Sequence, residues 1–203
     1  RFSRERFDPK KIRIDLGIAS GDFVMSFVGR LTREKGILEL LDVFKIFLKQ
    51  NSRVHLILVG PVEDSDVEDE LRSLEHIGNL HIVGPSARPE EYLSITDVFC
   101  LPSYREGFGT VVIEAAAMGV PTVGSNISSL RDAVVDGKTG LLVETKNVQA
   151  LCAALEELML NNAYRRLLGQ NAFRRCSESF DSEHLSQLIA DEYNKLWHGI
   201  KKK

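Results

Sequence analysis

The strongest constraint on this chain is an alternation of short apolar, β-branched runs with helical stretches, several of the runs closed by glycine. Phe23-Val24-Met25-Ser26-Phe27-Val28 stops at Gly29, Val54-His55-Leu56-Ile57-Leu58-Val59 at Gly60, and Leu80-His81-Ile82-Val83 at Gly84. Further strands are expected at Asp97 to Leu101, at Pro121-Thr122-Val123-Gly124 and at Gly140-Leu141-Leu142-Val143. Between the first two strands, Ile37, Leu40, Leu41, Phe44 and Leu48 share one helical face. An acidic helix is expected from about Asp64 to His76 and a brief one from Glu90 to Ile95. Another opens at Gly107-Phe108-Gly109 and runs to about Met118, stopping at Gly119 with Pro121 just beyond.

This pattern predicts an α/β fold, a single Rossmann-like doubly wound parallel sheet of about six strands followed by C-terminal helices. Those helices carry two apolar stripes. The first is Val148, Leu151, Cys152, Leu155, Leu158 and Met159; the second is Leu185, Leu188, Ile189, Tyr193, Leu196 and Trp197, in a helix from Asp181 to Trp197. A ligand of such a sheet sits beyond the carboxyl ends of the strands. With 203 residues, 43% of them hydrophobic, the chain is long enough for one good core. Residues 1–11, polar and beginning at Arg1, read as a linker from a longer protein; 12–200 form the domain and 201–203 a polar tail.

A formal charge of −3 argues against a general nucleic-acid binder. Cys100, Cys152 and Cys176 have neither metal-ligand spacing nor the even count of a disulfide framework, which favours a reducing, cytoplasmic setting. No apolar run approaches the ~18 residues of a membrane helix.

Four segments with chemical potential follow strands. After the first, Gly29-Arg30-Leu31-Thr32-Arg33-Glu34-Lys35-Gly36 offers two cations, Arg30 and Lys35, to a diphosphate. After the third, Gly84-Pro85-Ser86 forms a rigid turn. After the fourth, Ser103-Tyr104-Arg105-Glu106-Gly107-Phe108-Gly109-Thr110-Val111-Val112-Ile113-Glu114 places two carboxylates around a Gly-x-Gly turn that opens a helix. Unpaired amides at a helix start suit a phosphate, and the carboxylates can accept hydrogen bonds from sugar hydroxyls. The fourth segment, Gly124-Ser125-Asn126 with Asp132 and Asp136 to Gly140, reads mainly as turns.

Gly29-Arg30 with Lys35-Gly36, Pro102-Ser103, Glu106-Gly107-Phe108-Gly109 and Glu114-Ala115 together resemble glycosyltransferase family 4, over about Lys11 to Trp197. The resemblance implies the C-terminal, donor-binding half of a retaining, metal-independent glycosyltransferase of hexosyltransferase type with the two-domain GT-B fold. Glu106 and Glu114 match the family's E-x7-E spacing. By the same resemblance Glu106, Arg30 and Lys35 are the catalytic set: the two cations hold the diphosphate, and Glu106 contacts the donor sugar. Glu114 takes the ribose hydroxyls, the amides of Gly109 and Thr110 extend the anion site, and Gly84-Pro85-Ser86 lies near the base. Gly29, Gly107 and Phe108 complete the donor-binding residues.

No cofactor is implied beyond the nucleotide-diphosphate sugar donor, expected to be UDP-linked. The implied partners are that nucleotide sugar and an N-terminal acceptor-binding domain of the same protein, with no nucleic acid. Peripheral membrane association of the parent is compatible with this reading. The isolated half is expected to bind a donor without transferring it, and the alternative is a non-catalytic nucleotide-sugar-binding or interaction module. One departure concerns Ile127-Ser128-Ser129-Leu130-Arg131-Asp132, which stands where many relatives carry Gly-Gly-x-Pro-Glu.

Rival motifs are weaker. A dinucleotide fingerprint would follow the first strand and needs a third glycine where Val112 stands. Gly137-Lys138-Thr139 lacks the first glycine of a P-loop, Asp132 occupying its place. Asp64-Ser65-Asp66 imitates the D-x-D metal site of the other large glycosyltransferase class, but acids opening a helix complement its dipole. A glycosidase also uses two carboxylates, yet an Arg/Lys phosphate clamp has no place in one.

Overall fold

The computed structural model describes residues 6–50, 53–107 and 109–179. All six expected strands are present: β1 (Phe23–Val28), β2 (Val54–Val59), β3 (Leu80–Gly84), β4 (Val98–Leu101), β5 (Thr122–Ser125) and β6 (Gly140–Val143). They form one parallel sheet in the order β3-β2-β1-β4-β5-β6. β1, β2 and β4 read as nearly unbroken apolar runs because both of their faces are covered.

Eight helices surround the sheet among the described residues: α1 (Pro9–Asp15), α2 (Ile37–Gln50), α3 (Ser65–Ser73), α4 (Pro89–Ser94), α5 (Thr110–Ala117), α6 (Ser128–Ala133), α7 (Val148–Leu160) and α8 (Asn162–Ser179). α2 packs against α3 and α7, whereas α4 and α8 both pack against α5. Phe27, Leu40, Phe44, Phe47, Leu56 and Phe99 belong to the main core, and a smaller cluster of Ile18, Val24, Ile57, Val59 and Ile95 lies under α1 and α4.

The sequence reading requires four adjustments. Residues 9–11, read as linker, belong to α1: the Asp8 carboxylate accepts from the amides of Lys10 and Lys11 at 3.0 and 3.2 Å, and Pro9 opens the helix. The acidic helix is shorter than expected, α3 spanning only Ser65–Ser73. Ser128–Ala133, within the segment that departs from Gly-Gly-x-Pro-Glu and to which the sequence reading assigns no element, coils into α6. α8 follows α7 after a single residue, Asn161. The predicted Asp181 to Trp197 helix lies outside the described residues, as do residues 1–5 and the 201–203 tail.

The sheet order places a reversal between β1 and β4. From β1 the chain proceeds to β2 and β3 on one side, and from β4 to β5 and β6 on the other. The chain therefore continues to opposite sides of the sheet after β1 and β4, and a crevice opens beside their carboxyl ends.

Candidate functional site

The loop after β1 contains a short 3-10 turn, Arg33–Lys35, and ends at Gly36 with φ 72°. A Cβ at Gly36 would fall 2.2 Å from the carbonyl oxygen of Pro102, so only glycine lets this loop pass so close to the one leaving β4. The two loops are also bonded: the Tyr104 amide donates to the Glu34 carbonyl at 2.8 Å, and the Arg105 guanidinium to the Glu34 carboxylate at 2.6 Å. The Tyr104 hydroxyl donates to Glu39 on α2.

α5 begins at Gly109, which adopts a left-handed conformation (φ 65°, ψ 43°). A Cβ there would approach the Leu130 side chain of α6 to 2.9 Å, so the tight entry to the helix depends on this glycine. The Gly109 carbonyl accepts from the Val112 amide at 2.8 Å, leaving the preceding amides for whatever lies at the helix start. At the other end the Gly119 and Val120 amides return to the Ala116 and Ala115 carbonyls, a Schellman closure that fixes the length of α5.

Between these loops lies a cleft of roughly 410 Å³. Gly29, Arg30, Lys35, Glu106, Gly109, Thr110 and Glu114 line it, over an apolar floor that includes Phe27, Val28 and Leu101. The fold thus gathers into one concavity residues drawn from two loops more than 70 positions apart in the chain.

Within the cleft the charges are already paired. Lys35 Nζ donates to Glu106 Oε1 at 2.6 Å, with side chains only 19% and 11% exposed. The hydroxyl of Ser103, fully buried, donates to the same oxygen at 2.7 Å. Two donors on one oxygen orient the carboxylate and leave Oε2 outside these two bonds. Arg30 pairs instead with Glu63, on the loop after β2, at 2.9 Å; both side chains are well exposed. An exposed pair of this kind is worth only about 0–1 kcal/mol, so an anion can replace its acid at little cost.

Several expected residues lie elsewhere or have another partner. Gly84-Pro85-Ser86 does not line the cleft; it ends β3, where the Gly84 carbonyl accepts from the Gly60 amide at 2.9 Å and Ser86 Oγ from the Arg88 amide at 3.1 Å. Gly107 is exposed on the loop before α5, outside the cleft lining, and Phe108 lies outside the described residues. The acids of the D-x-D imitation brace the β1 loop: Asp64 accepts from the Arg33 amide at 2.7 Å, and Asp66 pairs with the Arg33 guanidinium. Ser103 and Glu63 are the contributors that sequence reasoning missed. Ser103 stood inside the quoted motif without an assigned bond, whereas no spacing connects Glu63 to Arg30, 33 residues away.

Comparison with known proteins places the chain in a family and a fold. The profile of the family described as Glycosyl transferases group 1 matches residues 8–175. The capsular polysaccharide biosynthesis glycosyltransferase CapM of Staphylococcus aureus is 32% identical over 179 residues, covering 87% of this chain and 47% of CapM. A D-inositol 3-phosphate glycosyltransferase of Rhodococcus erythropolis is 33% identical over 199 residues, covering 93% and 45%. The chain thus spans about half the length of the curated relatives it matches.

Among solved structures, Anabaena Alr3699/HepE in complex with UDP-glucose superposes with a TM-score of 0.81 at 26% identity, over 92% of this chain and 52% of that one. The C-terminal domain of the group 1 glycosyl transferase LpcC from Francisella tularensis superposes with a TM-score of 0.76, over 86% of this chain and 94% of that one; at 20% identity it speaks for the fold alone. A match over most of the chain, a shared Rossmann-like sheet and a cleft at its reversal agree with one another: the chain belongs to the glycosyl transferases group 1 family.

Proposed function

We propose that this chain is the donor-binding half of a retaining, metal-independent glycosyltransferase of GT-B architecture, within glycosyltransferase family 4. Its protein transfers a sugar from a nucleotide-diphosphate donor, UDP-linked, to an acceptor held by a second, N-terminal domain. The donor domain opens on α1 at Pro9 and is taken to extend to residue 200. The observation that carries the reading is the convergence of Arg30, Lys35, the start of α5 and two carboxylates on one cleft at the sheet reversal.

The chemistry follows from that convergence. Breaking the bond between the sugar C1 and the phosphate oxygen sends an electron pair onto a diphosphate leaving group. Arg30, Lys35 and the Gly109 and Thr110 amides offset the charge that develops there, the role a metal ion plays in other enzymes. Glu114 engages the ribose hydroxyls and Glu106 the donor sugar. Glu106 reaches its working position by exchanging Lys35 for a sugar hydroxyl while Ser103 continues to hold its Oε1.

UDP added in the presence of EDTA is expected to raise the melting temperature of the protein, and Glu114→Ala to abolish most of that rise. No rise with UDP or any other nucleoside diphosphate would remove the donor-site reading. A rise that appears only with Mn²⁺ or Mg²⁺ would remove its metal independence.

A further inference from the structure

We propose that Glu63 is a placeholder for the donor phosphate, occupying the Arg30 guanidinium until the diphosphate displaces it, and so sets donor affinity. This inference rests on the donor reading of the cleft. The acidic segment Glu63-Asp64-Ser65-Asp66 has no part in that reading, yet each of its carboxylates faces the cation-bearing loop after β1. Asp64 and Asp66 hold Arg33, by its amide and its guanidinium, and Glu63 holds Arg30 at 2.9 Å.

The backbone places Glu63 there whatever its side chain. Leu31 and Val62 form a parallel bridge, the Leu31 amide donates to the Pro61 carbonyl at 2.7 Å, and the Glu63 amide to the Leu31 carbonyl at 3.2 Å. The loop after β2 is therefore stitched beside Arg30. The Glu63 side chain is 40% exposed, accessible enough to be exchanged.

The two acids that pair with cleft cations differ in consequence. Glu106 is mostly buried, anchored by Ser103, and lines the cleft. Glu63 does not line the cleft, and its only charge partner among the described ion pairs is Arg30. A carboxylate competing with a phosphate for one guanidinium weakens phosphate binding by the free energy of the pair it must give up. Glu63 is thus a positioning residue whose removal strengthens binding, the opposite of what loss of a structural contact would do.

Isothermal titration of UDP and of uridine into the intact protein at low ionic strength tests this. Glu63→Gln and Glu63→Ala are expected to bind UDP about two- to fivefold more tightly than the wild type. Uridine, having no phosphate, should bind all three equally, and added salt should narrow the UDP difference. Arg30→Ala should weaken UDP binding and make Glu63→Gln silent in the double variant.

UDP affinity unchanged or weakened in both Glu63 variants, with Arg30→Ala still damaging, overturns the placeholder and leaves the donor reading intact. Equal tightening of uridine also overturns it, because the gain would not come from phosphate. Absence of UDP binding in the wild type overturns the donor reading itself, and the placeholder with it.

Discussion

The two ends of the sheet use the same kinds of charged residue in opposite ways. At the amino end, the carboxylate of Asp97 accepts from the Val24 amide at 3.0 Å and from Arg165 at 3.2 Å, and pairs with Arg13 at 3.5 Å. Arg165 also donates to the Leu158 carbonyl at 2.6 Å and lies over the Phe23 ring, joining the end of α7 to β1 and β4. Asp22 accepts from the Ala19 amide and Arg53 and contacts His55, which meets His81 edge to edge at 3.0 Å. These bonds tie framework elements together.

At the carboxyl end, the acids and bases border a cleft. Arg30–Glu63 is exposed, and Lys35–Glu106, although mostly buried, lines the concavity itself. The difference is one of topology. Loops entering the amino ends close on hydrogen-bond networks, whereas those leaving β1 and β4 touch at Gly36 yet border a crevice in which their charges can exchange partners around an anion. The first arrangement supports the fold, and the second is exchangeable.

Substitutions at each end should separate those roles. The largest effect is expected for Lys35→Ala in the full-length protein: under the proposed function, sugar transfer should fall by about 100- to 1000-fold, as when a stabiliser of transition-state charge is removed. The variant should also lose about 1–3 kcal/mol of stability, because the mostly buried Glu106 carboxylate is left with Ser103 alone, so its activity is compared at a temperature where it is folded. Unchanged UDP affinity and transfer rate in the folded variant would place Lys35 in the framework class instead.

Asp97→Ala should do the reverse. It removes the carboxylate shared by Arg13, Arg165 and the Val24 amide, and because the group is partly exposed the cost is put at about 2 kcal/mol, measured by urea denaturation. UDP affinity of the folded variant should stay within about twofold. A large loss of affinity would mean that the two ends are coupled.

The smallest effect concerns pH. Burial, reinforced by the neighbouring His55, pushes the His81 imidazole down to about 4, from the ordinary 6.5. Burial also lowers His55, against the opposing pull of Asp22. Below pH 6.5 the unfolded chain therefore takes up protons that the folded chain refuses, so this pair costs stability as pH falls from about 6.5 towards 4. With solvent screening the loss at His81 is about 1–2 kcal/mol at most. His81→Gln should flatten the melting-temperature profile over that window and leave the pH dependence of UDP binding unchanged. An unflattened profile would show that the pair does not contribute.

Much of the molecule was legible in the chain because the signals are local. An apolar run closed by glycine marks a buried strand wherever it lies, so all six strands were found, and Gly107 to Glu114 announced a helix start with acids around it. α1 carried a readable signal too, Asp8-Pro9, but the charges around it resembled a linker. α6 is one short helix in a segment where missing family glycines drew attention to the loop they usually form.

Partnerships were less legible. Ser103 lies three residues from Glu106, yet only the turn between them brings hydroxyl and carboxylate together. Nothing in the spacing of Arg30 and Glu63, or of Lys35 and Glu106, said that these charges would meet, because their approach depends on which strands become neighbours and on two loops crossing at Gly36. Residue order was sufficient for the strands, the glycine turns and the stock of cations and carboxylates, since hydrophobic burial and backbone sterics act over a few residues. Folding in three dimensions chose which acid faces which base, and whether that pair closes on itself or borders a cleft, because electrostatic pairing depends on distances that strand order and loop path create.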